Sequence, residues 1–141
     1  MICLDTNIVI TAINRGAPQV RKRLVDELAN GAIVGIPAIV LFELWYGIKK
    51  SARQRANAAD LSDFLTLDVT AWSFEPEDAE EAGDIRAALE HAGTPIGAYD
   101  VLIAAQARRR KCHARYCEQA RVFACTGPED GRLGGLSHRL A

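Results

Sequence analysis

The sequence lacks any apolar run that approaches 18 residues, the length at which a helix begins to span a membrane. No basic and then apolar leader precedes Ile2, so secretion is not expected. Cysteine is sparse: Cys3 falls in a predicted core strand, and Cys112, Cys117 and Cys125 lack C-x-x-C spacing. These absences predict a reduced cytoplasmic protein that makes no use of a membrane.

A surplus of charge of one sign is also missing, since the net charge is −1 over 141 residues. Hydrophobic residues make up 49% of the chain, which is ordinary for one globular domain. The charge is nevertheless uneven: residues 1–107 hold 9 Lys/Arg and 15 Asp/Glu, whereas residues 108–141 hold 8 and 3. A basic nucleic-acid-binding arm produces such asymmetry, and so do two segments of different origin.

Short β-rich runs alternate with helical periodicity along most of the chain. Strands are predicted at residues 2–4, at 32–36 and within 67–74. The predicted helices begin near Ile8, at Pro18, at Ala38, after a Ser51 cap, at Pro76 and after Asp100. In a sandwich of sheet and helices, the ends of such elements can meet at one edge of the sheet.

The first candidate site residue follows a short buried strand. Residues 2–4 are an apolar run, and Asp5, Thr6 and Asn7 stand where it ends. Ligands of open α/β sheets bind at the carboxyl ends of the strands, so a carboxylate here suits a cation. Asp5 equally suits the N-cap of the helix that starts near Ile8, and both interpretations stay open.

The second candidate interrupts the helix predicted from Ala38 to Lys50. This helix is apolar nearly all round, so it is expected to be largely buried. Its only acid is Glu43, and a glutamate is almost never fully buried without a partner. A salt bridge to Lys49 or Lys50 is one explanation, and a functional role is the equal alternative.

The third candidate, Asp100, follows a Gly- and Pro-containing loop over residues 94–99 and heads a tightly packed helix. It is predicted at or next to an N-cap, which explains one acid without any chemistry. Asp84 lies on an acidic helix that begins at Pro76 and is interpreted as a solvated surface charge.

Three acids in similar settings suggest one shared site. Crowded carboxylates repel one another unless a cation is present, and hard cations such as Mg²⁺ or Mn²⁺ prefer oxygen ligands. Such cations also activate water and stabilise phosphoryl transition states. Composition and periodicity lead no further than a candidate acidic metal site.

Six short motifs between Met1 and about Arg110 carry a resemblance to a known family. They are Leu4-Asp5-Thr6-Asn7, Phe42-Glu43-Leu44 with Gly47, Lys50-Ser51, Arg86-Ala87-Ala88-Leu89, Ala92-Gly93-Thr94-Pro95-Ile96-Gly97 and Asp100-Val101-Leu102-Ile103-Ala104-Ala105. In this order and spacing, they resemble PIN-domain proteins. The closer resemblance is to the VapC toxins of bacterial VapBC toxin–antitoxin modules.

The resemblance implies a three-layer α/β/α fold with a central parallel sheet, and a Mg²⁺- or Mn²⁺-dependent endoribonuclease. It assigns the catalytic, metal-binding acids to Asp5, Glu43 and Asp100, with Asp5 and Asp100 as direct ligands and Glu43 as ligand or general base. Thr6 matches the hydroxyl usually found beside the first acid, and Asn7 is a further supporting candidate. The implied partners are RNA, a VapB-like antitoxin that sends a basic side chain into the acidic pocket, and a second copy of the chain.

Two local features set this chain apart within that family pattern. The residues before the third acid are Ala98-Tyr99, where the family usually has Pro-Asn, and Pro37-Ala38 stands where a Ser or Thr cap is common. Trp45 and Tyr46 supply more hydrophobic surface than one helix needs. These two side chains could contact a partner or belong to an ordinary hydrophobic core, and both interpretations stay open.

The resemblance ends near Lys111. Where the family has a β-rich strand of the type ATLVTNN, this chain has an Arg-, Gly- and Cys-rich segment that is poor strand material. Degenerate codons for Cys112–Phe123, read one base later, permit Ala-Thr-Leu-Val-Thr-Ala-Asn, so a frameshifted tail over residues 111–141 that does not complete the sheet is predicted. The alternative is a genuine basic tail in which Arg108–Lys111 contact RNA phosphates. Glu118 falls near the position of a fourth site residue and is a supporting candidate.

Two other functions stay open at this point. A catalytically impaired PIN-like protein would bind antitoxin or RNA without efficient cleavage, because the altered tail removes part of the site. A phosphatase or phosphotransferase also places an Asp after its first strand. However, Leu4-Asp5-Thr6-Asn7 lacks the second Asp that such motifs carry.

Overall fold

Three short parallel strands form the sheet at the centre of the molecule. The computed structural model describes residues 1–14 and 17–112, and in this part of the chain the strands are β1 (Ile2–Cys3), β2 (Val34–Pro37) and β3 (Val69–Trp72). Their order in the sheet is β1-β2-β3, with Ile2 opposite Val34 and Val34 opposite Val69. Parallel neighbours cannot be joined by a tight hairpin, so helical crossovers connect them.

The helices in the described part of the chain are α1 (Thr6–Ile13), α2 (Pro18–Ala29), α3 (Ala38–Lys50), α4 (Gln54–Leu65), α5 (Pro76–His91) and α6 (Ala98–Arg109). The first four form the crossovers between strands, and α1 contacts α2, α3 and α4. The strand order shows that the chain crosses the sheet in one direction, and right-handed crossovers then bring their helices to the same face of the sheet. Beyond β3, α5 packs along α6.

The predicted α/β/α sandwich with a parallel sheet is confirmed. No helix among the described residues is long and apolar enough to span a lipid bilayer.

The core lies on both sides of β1 and β2. Cys3, Val34 and Ile36 are almost inaccessible to solvent, as expected for parallel strands that are covered on both faces. The Trp72 ring crosses from β3 over Gly35, where a Cβ atom would lie 1.8 Å from the ring. Gly35 therefore leaves the space in which Trp72 packs against β2.

Helix α3 is less buried than its apolar sequence predicts. Its buried residues form one stripe at i, i+4 and i+8 spacing, namely Val40, Leu44 and Ile48. Trp45 and Tyr46 lie off this stripe and are 41% and 56% exposed. The prediction of a largely buried helix is therefore wrong, and ordinary core roles for these two rings are excluded.

Ser51 has a different role from the predicted one. It does not cap α4, which begins at Gln54; it ends α3 instead. Its Oγ accepts hydrogen bonds from Arg53 N and from Asn57 Nδ2, each at 3.0 Å. These bonds stabilise the turn between α3 and α4, so that α4 begins only at Gln54.

Most of the predicted atypical tail lies outside the residues that the structure describes. Of residues 111–141, only Lys111 and Cys112 fall within them, so the frameshift, the missing strand and Glu118 stay predictions. Cys112 is fully buried beside Cys3 of β1, and the hydrogen bond between the two side chains lowers the pKa of the Cys112 thiol. The chain therefore returns to β1 where the tail begins.

Ion pairs join the carboxyl end of α6 to the start of α5. The Asp78 carboxylate is fully buried and accepts hydrogen bonds from Arg109 Nε at 2.7 Å and from Arg110 Nη1 at 2.8 Å. Arg108 pairs with Glu81 of α5. These three arginines are thus engaged with acids of α5, which weighs against the alternative in which this basic run contacts RNA phosphates.

The pKa of Asp78 reflects two opposing effects. Burial alone raises the pKa, but hydrogen bonds from Arg110, from Glu75 N and from Arg109 outweigh burial, and the pKa is lowered from its ordinary value of 3.8. A carboxylate with a lowered pKa in the folded state stabilises the fold above its unfolded-state pKa. That contribution is lost as the pH falls through the folded-state pKa.

We expect Asp78→Asn to lower the free energy of unfolding at pH 7 by roughly 2–3 kcal/mol, because it removes charge-assisted hydrogen bonds from two arginines. The difference from the parent should shrink in acid, where Asp78 of the parent becomes protonated as well. Urea unfolding over a range of pH measures both effects. The control is Asp84→Asn on the exposed face of the same helix, which should change the stability by less than about 0.5 kcal/mol. An equal loss in the two variants would contradict this role for Asp78.

Candidate active site

Asp5 stands at the carboxyl end of β1, where the chain leaves the sheet and enters α1. Its side chain is 5% exposed, and Oδ1 accepts a hydrogen bond from the backbone N–H of Ile8 at 2.7 Å. It is therefore the N-cap of α1, as the simpler interpretation predicts. The two interpretations are compatible, because Asp5 also lines the cleft described below. Capping holds a carboxylate in the wall of that cleft.

Glu43 meets the start of α1 from the second turn of α3. The Thr6 hydroxyl donates a hydrogen bond to Oε2 of Glu43, which joins segments 37 residues apart. Among the described residues, no lysine pairs with Glu43; Lys50 lies over the Tyr46 ring, with its Nζ 5.1 Å from the centroid. The salt bridge to Lys49 or Lys50, one of the two explanations for Glu43, is therefore not formed, and the Thr6 hydroxyl is the partner instead.

Asp100 lies in the first turn of α6, three residues after the N-cap Gly97. The helix begins about one turn earlier than predicted, because Ala98 and Tyr99 are already helical. An acid in the first turn interacts favourably with the positive end of the helix dipole. The carboxylate folds back over Gly97, where a Cβ atom would lie 2.7 Å from Asp100 Oδ2. Glycine at position 97 therefore leaves the space that the carboxylate takes.

A single cleft of about 700 Å³ brings the three acids to one place. Its lining residues come from the start of α1, from α3 and from α6, namely Asp5, Thr6, Asn7, Phe42, Glu43, Tyr46, Tyr99, Asp100 and Ile103. Five of the six sequence-predicted site residues are among them, and Glu118 lies outside the described residues. The cleft adjoins the carboxyl end of β1, the side of a parallel sheet on which ligands bind.

The donor atoms of the cleft suit a hard cation. Carboxylates, a hydroxyl and an amide offer oxygen ligands, which Mg²⁺ and Mn²⁺ prefer. Within residues 1–14 and 17–112, no three His, Cys, Asp or Glu side chains are grouped so that they could hold an ion together. Mg²⁺ does not need such a cage, since it usually keeps several waters and is bound through one or two carboxylates. The residues fit an ion that is held partly through water.

Sequence reasoning missed part of the aromatic side of this cleft. Phe42 and Tyr99 line it together with Tyr46, beside the acids. The i, i+4 spacing of Phe42 and Tyr46 is a signal that the two rings share a helix face. The departure from the family pattern at Tyr99 is a second signal, because it stands next to a predicted site acid.

Comparisons with known proteins agree with this fold. The family profile described as PIN domain matches residues 2–114, so the chain belongs to the PIN-domain family. Within that family it is similar to ribonuclease VapC2 of Haemophilus influenzae, at 37% identity over 105 residues that cover 74% of this chain and 76% of the relative. It is also similar to the tRNA(fMet)-specific endonuclease VapC of Shigella flexneri, at 37% identity over 107 residues, 76% of this chain and 78% of the relative.

Solved structures extend the likeness to three dimensions. VapBC2 from Rickettsia felis, bound to a DNA fragment from its promoter, superimposes with a TM-score of 0.73 at 33% identity, over 79% of this chain and 83% of that chain. DNA-bound VapBC from Salmonella typhimurium gives a TM-score of 0.68 at 34% identity, over 78% and 82%. The resemblance to VapC proteins predicted from six motifs is confirmed.

We expect Gly97→Ala to displace the Asp100 carboxylate without unfolding the protein. The backbone φ of −58° at Gly97 suits alanine, but the new Cβ atom forces Asp100 Oδ2 away from its place 2.7 Å distant. Affinity for Mn²⁺, measured by isothermal titration calorimetry, should fall by about tenfold or more, as when a ligand loses its supporting geometry. The thermal midpoint should stay within about 4 °C of the parent.

The matched control is Gly83→Ala on α5, where a Cβ atom meets nothing within 4 Å. This variant should bind Mn²⁺ like the parent. Unchanged Mn²⁺ affinity in Gly97→Ala would contradict the assignment of Asp100 as a ligand.

Proposed function

We propose that this protein is a Mg²⁺-dependent endoribonuclease and the toxin component of a toxin–antitoxin module. The observation that carries the proposal is the convergence of Asp5, Glu43 and Asp100, from three distant segments, on one cleft with oxygen donors. The names of its relatives as VapC ribonucleases support the reaction class.

In this proposal, Asp5 and Asp100 would hold the ion, each from the N-terminal end of a different helix. Asp5 is buried and fixed by its bond to Ile8 N, and Asp100 is positioned by the space over Gly97. Each carboxylate is therefore oriented before any ligand arrives, which reduces the cost of reorganisation. A bound Mg²⁺ would lower the pKa of a water molecule and neutralise charge that develops on the phosphate.

Glu43 is proposed to orient the attacking water and to accept its proton. Its Oε2 is fixed by the Thr6 hydroxyl, while Oε1 accepts no hydrogen bond from the described residues. A carboxylate with one oxygen anchored and the other available suits a general base. The Thr6 hydroxyl is thus a positioning group, because it sets the direction in which Oε1 points.

Asp5→Asn is expected to reduce Mg²⁺-dependent cleavage of RNA by at least about 100-fold, since it removes a charge that binds the metal. Asparagine is a good N-cap, so the variant keeps the bond to Ile8 N and the fold. Cleavage of a labelled RNA with Mg²⁺, and after its removal by EDTA, measures the effect. Asp84→Asn, which makes the same chemical change on an exposed helix face, should cleave like the parent. An Asp5→Asn variant that is folded and fully active would disprove the assignment.

RNA and p-nitrophenyl phosphate, compared as substrates with and without Mg²⁺ and alongside a measurement of RNA binding, separate the alternative functions. A phosphatase would hydrolyse p-nitrophenyl phosphate at a rate that depends on Mg²⁺, whereas the proposed enzyme acts on RNA alone. A catalytically impaired PIN-like protein would bind RNA without cleaving it.

The proposed protein partners are a VapB-like antitoxin and a second copy of the chain. Support for the antitoxin comes from the solved VapBC relatives and from the three carboxylates that the cleft offers to a basic side chain. Support for the dimer comes from apolar side chains exposed outside the cleft, such as Ile33 at 57%. Light scattering should give twice the chain mass of 15.3 kDa, and a strict monomer at high concentration would contradict the dimer.

A further inference from the structure

Three aromatic rings form one side of the acidic cleft, and we name them the aromatic wall: Phe42, Tyr46 and Tyr99. The Phe42 and Tyr46 rings are nearly parallel, with centroids 6.2 Å apart and an interplanar angle of 16°. Tyr99 meets Phe42 edge to face, with centroids 5.5 Å apart. The rings contact one another but do not enter the core.

The aromatic wall is unusually open to solvent. Phe42, Tyr46 and Tyr99 are 49%, 56% and 49% exposed, although large apolar rings gain free energy from burial. The rings touch each other, and they border carboxylates that are candidates for metal binding. A ligand with flat apolar faces and a nearby anionic group would satisfy both parts of this cleft at once.

A cation continues the line of rings along α3. Phe42, Tyr46 and Lys50 are spaced i, i+4 and i+8, so they lie in one row on the helix. The ammonium group of Lys50 sits over the Tyr46 ring, 5.1 Å from the centroid. Rings followed by a basic group are the elements with which proteins bind single-stranded nucleic acid, through base stacking and contacts to phosphates.

We infer that the aromatic wall stacks unpaired bases of RNA whose phosphodiester lies at the acids, and that Tyr99 is a substrate-binding residue. The inference rests on the proposed ribonuclease function and names the residues that bind the bases of its substrate. Bases inside a duplex are already stacked and paired, so their faces are closed to these rings. Tyr99 adjoins Asp100 in the same helical turn, which brings a stacked base next to the phosphate to be cut.

Binding is measured in the Asp5→Asn background, so that affinity is read without cleavage. The probe is an unstructured, fluorescein-labelled oligoribonucleotide of 12 nucleotides, compared with a duplex of the same sequence in the same salt. Tyr99→Ala should raise the Kd for the unpaired probe roughly 5- to 100-fold, the range for loss of one base–aromatic stack. Tyr99→Phe and Tyr99→Trp keep a flat ring and should retain the affinity. The Kd for the duplex should not change.

Trp45→Ala is the matched control, because Trp45 is an exposed aromatic residue of α3 that does not line the cleft. It should bind the unpaired probe like the parent. In the chain with Asp5 intact, Tyr99→Ala should raise the KM for RNA far more than it lowers kcat, which loss of fold would not do.

Three results would overturn the inference. If Tyr99→Ala and Tyr46→Ala bind the unpaired probe as well as the parent, the rings do not stack bases. If the two variants instead bind the RNA normally and bind only an arginine-containing peptide more weakly, the aromatic wall serves a protein partner. If the parent itself binds no RNA, both the proposed function and this inference are wrong. This outcome is distinguishable because the parent and the variants then fail to bind the probe alike.

Discussion

The parallel pairing of β1 with β2 is the constraint on which the cleft depends. The backbone N–H of Leu4 donates to Gly35 O at 2.9 Å, so the end of β1 lies beside the end of β2, from which α3 starts. Asp5 and Thr6 follow Leu4 just after β1, and Glu43 lies in the second turn of α3. The strand pairing therefore brings together two side chains that are 37 residues apart, and the Thr6–Glu43 hydrogen bond completes their approach.

The position of helix α6 is a second constraint on the cleft, because α6 carries Asp100. Its carboxyl end is anchored by Arg109 and Arg110 on the buried Asp78. Asp100 lies about 14 Å away along the helix axis, nine residues earlier. Because a helix of this length is stiff, the ion pairs with α5 help to define where the Asp100 carboxylate stands. The cleft is thus supported by groups that do not line it.

The surface of the cleft combines features that folding alone does not favour. Carboxylates that converge on one space repel each other, and exposed rings forgo the free energy of burial. The fold tolerates both because the core elsewhere is closely packed: Phe64 and Ile36, for example, are fully buried. A bound cation and a bound ligand with flat faces would relieve both conditions, which is the usual relation between a functional site and the stability of its scaffold.

The sequence by itself determined much of the fold and most of the candidate site. The bounds of α3 and α5 follow from local signals, such as Pro76 at a first helical position. The acids Asp5, Glu43 and Asp100 were recognisable from their positions within motifs, because a resemblance in motif order reflects a shared arrangement.

Only the tertiary structure decided which partners these residues have. The burial of Asp78 depends on arginines that are more than 30 residues away, so no local pattern predicts it. Tyr46 belongs to an apolar helix, yet it is exposed, because helical periodicity does not say which sides have neighbours. Glu43 bonds to Thr6 and not to a lysine of its own helix, since the pairing of β1 with β2 puts the hydroxyl closer. Local signals define elements, whereas contacts between distant segments define the site.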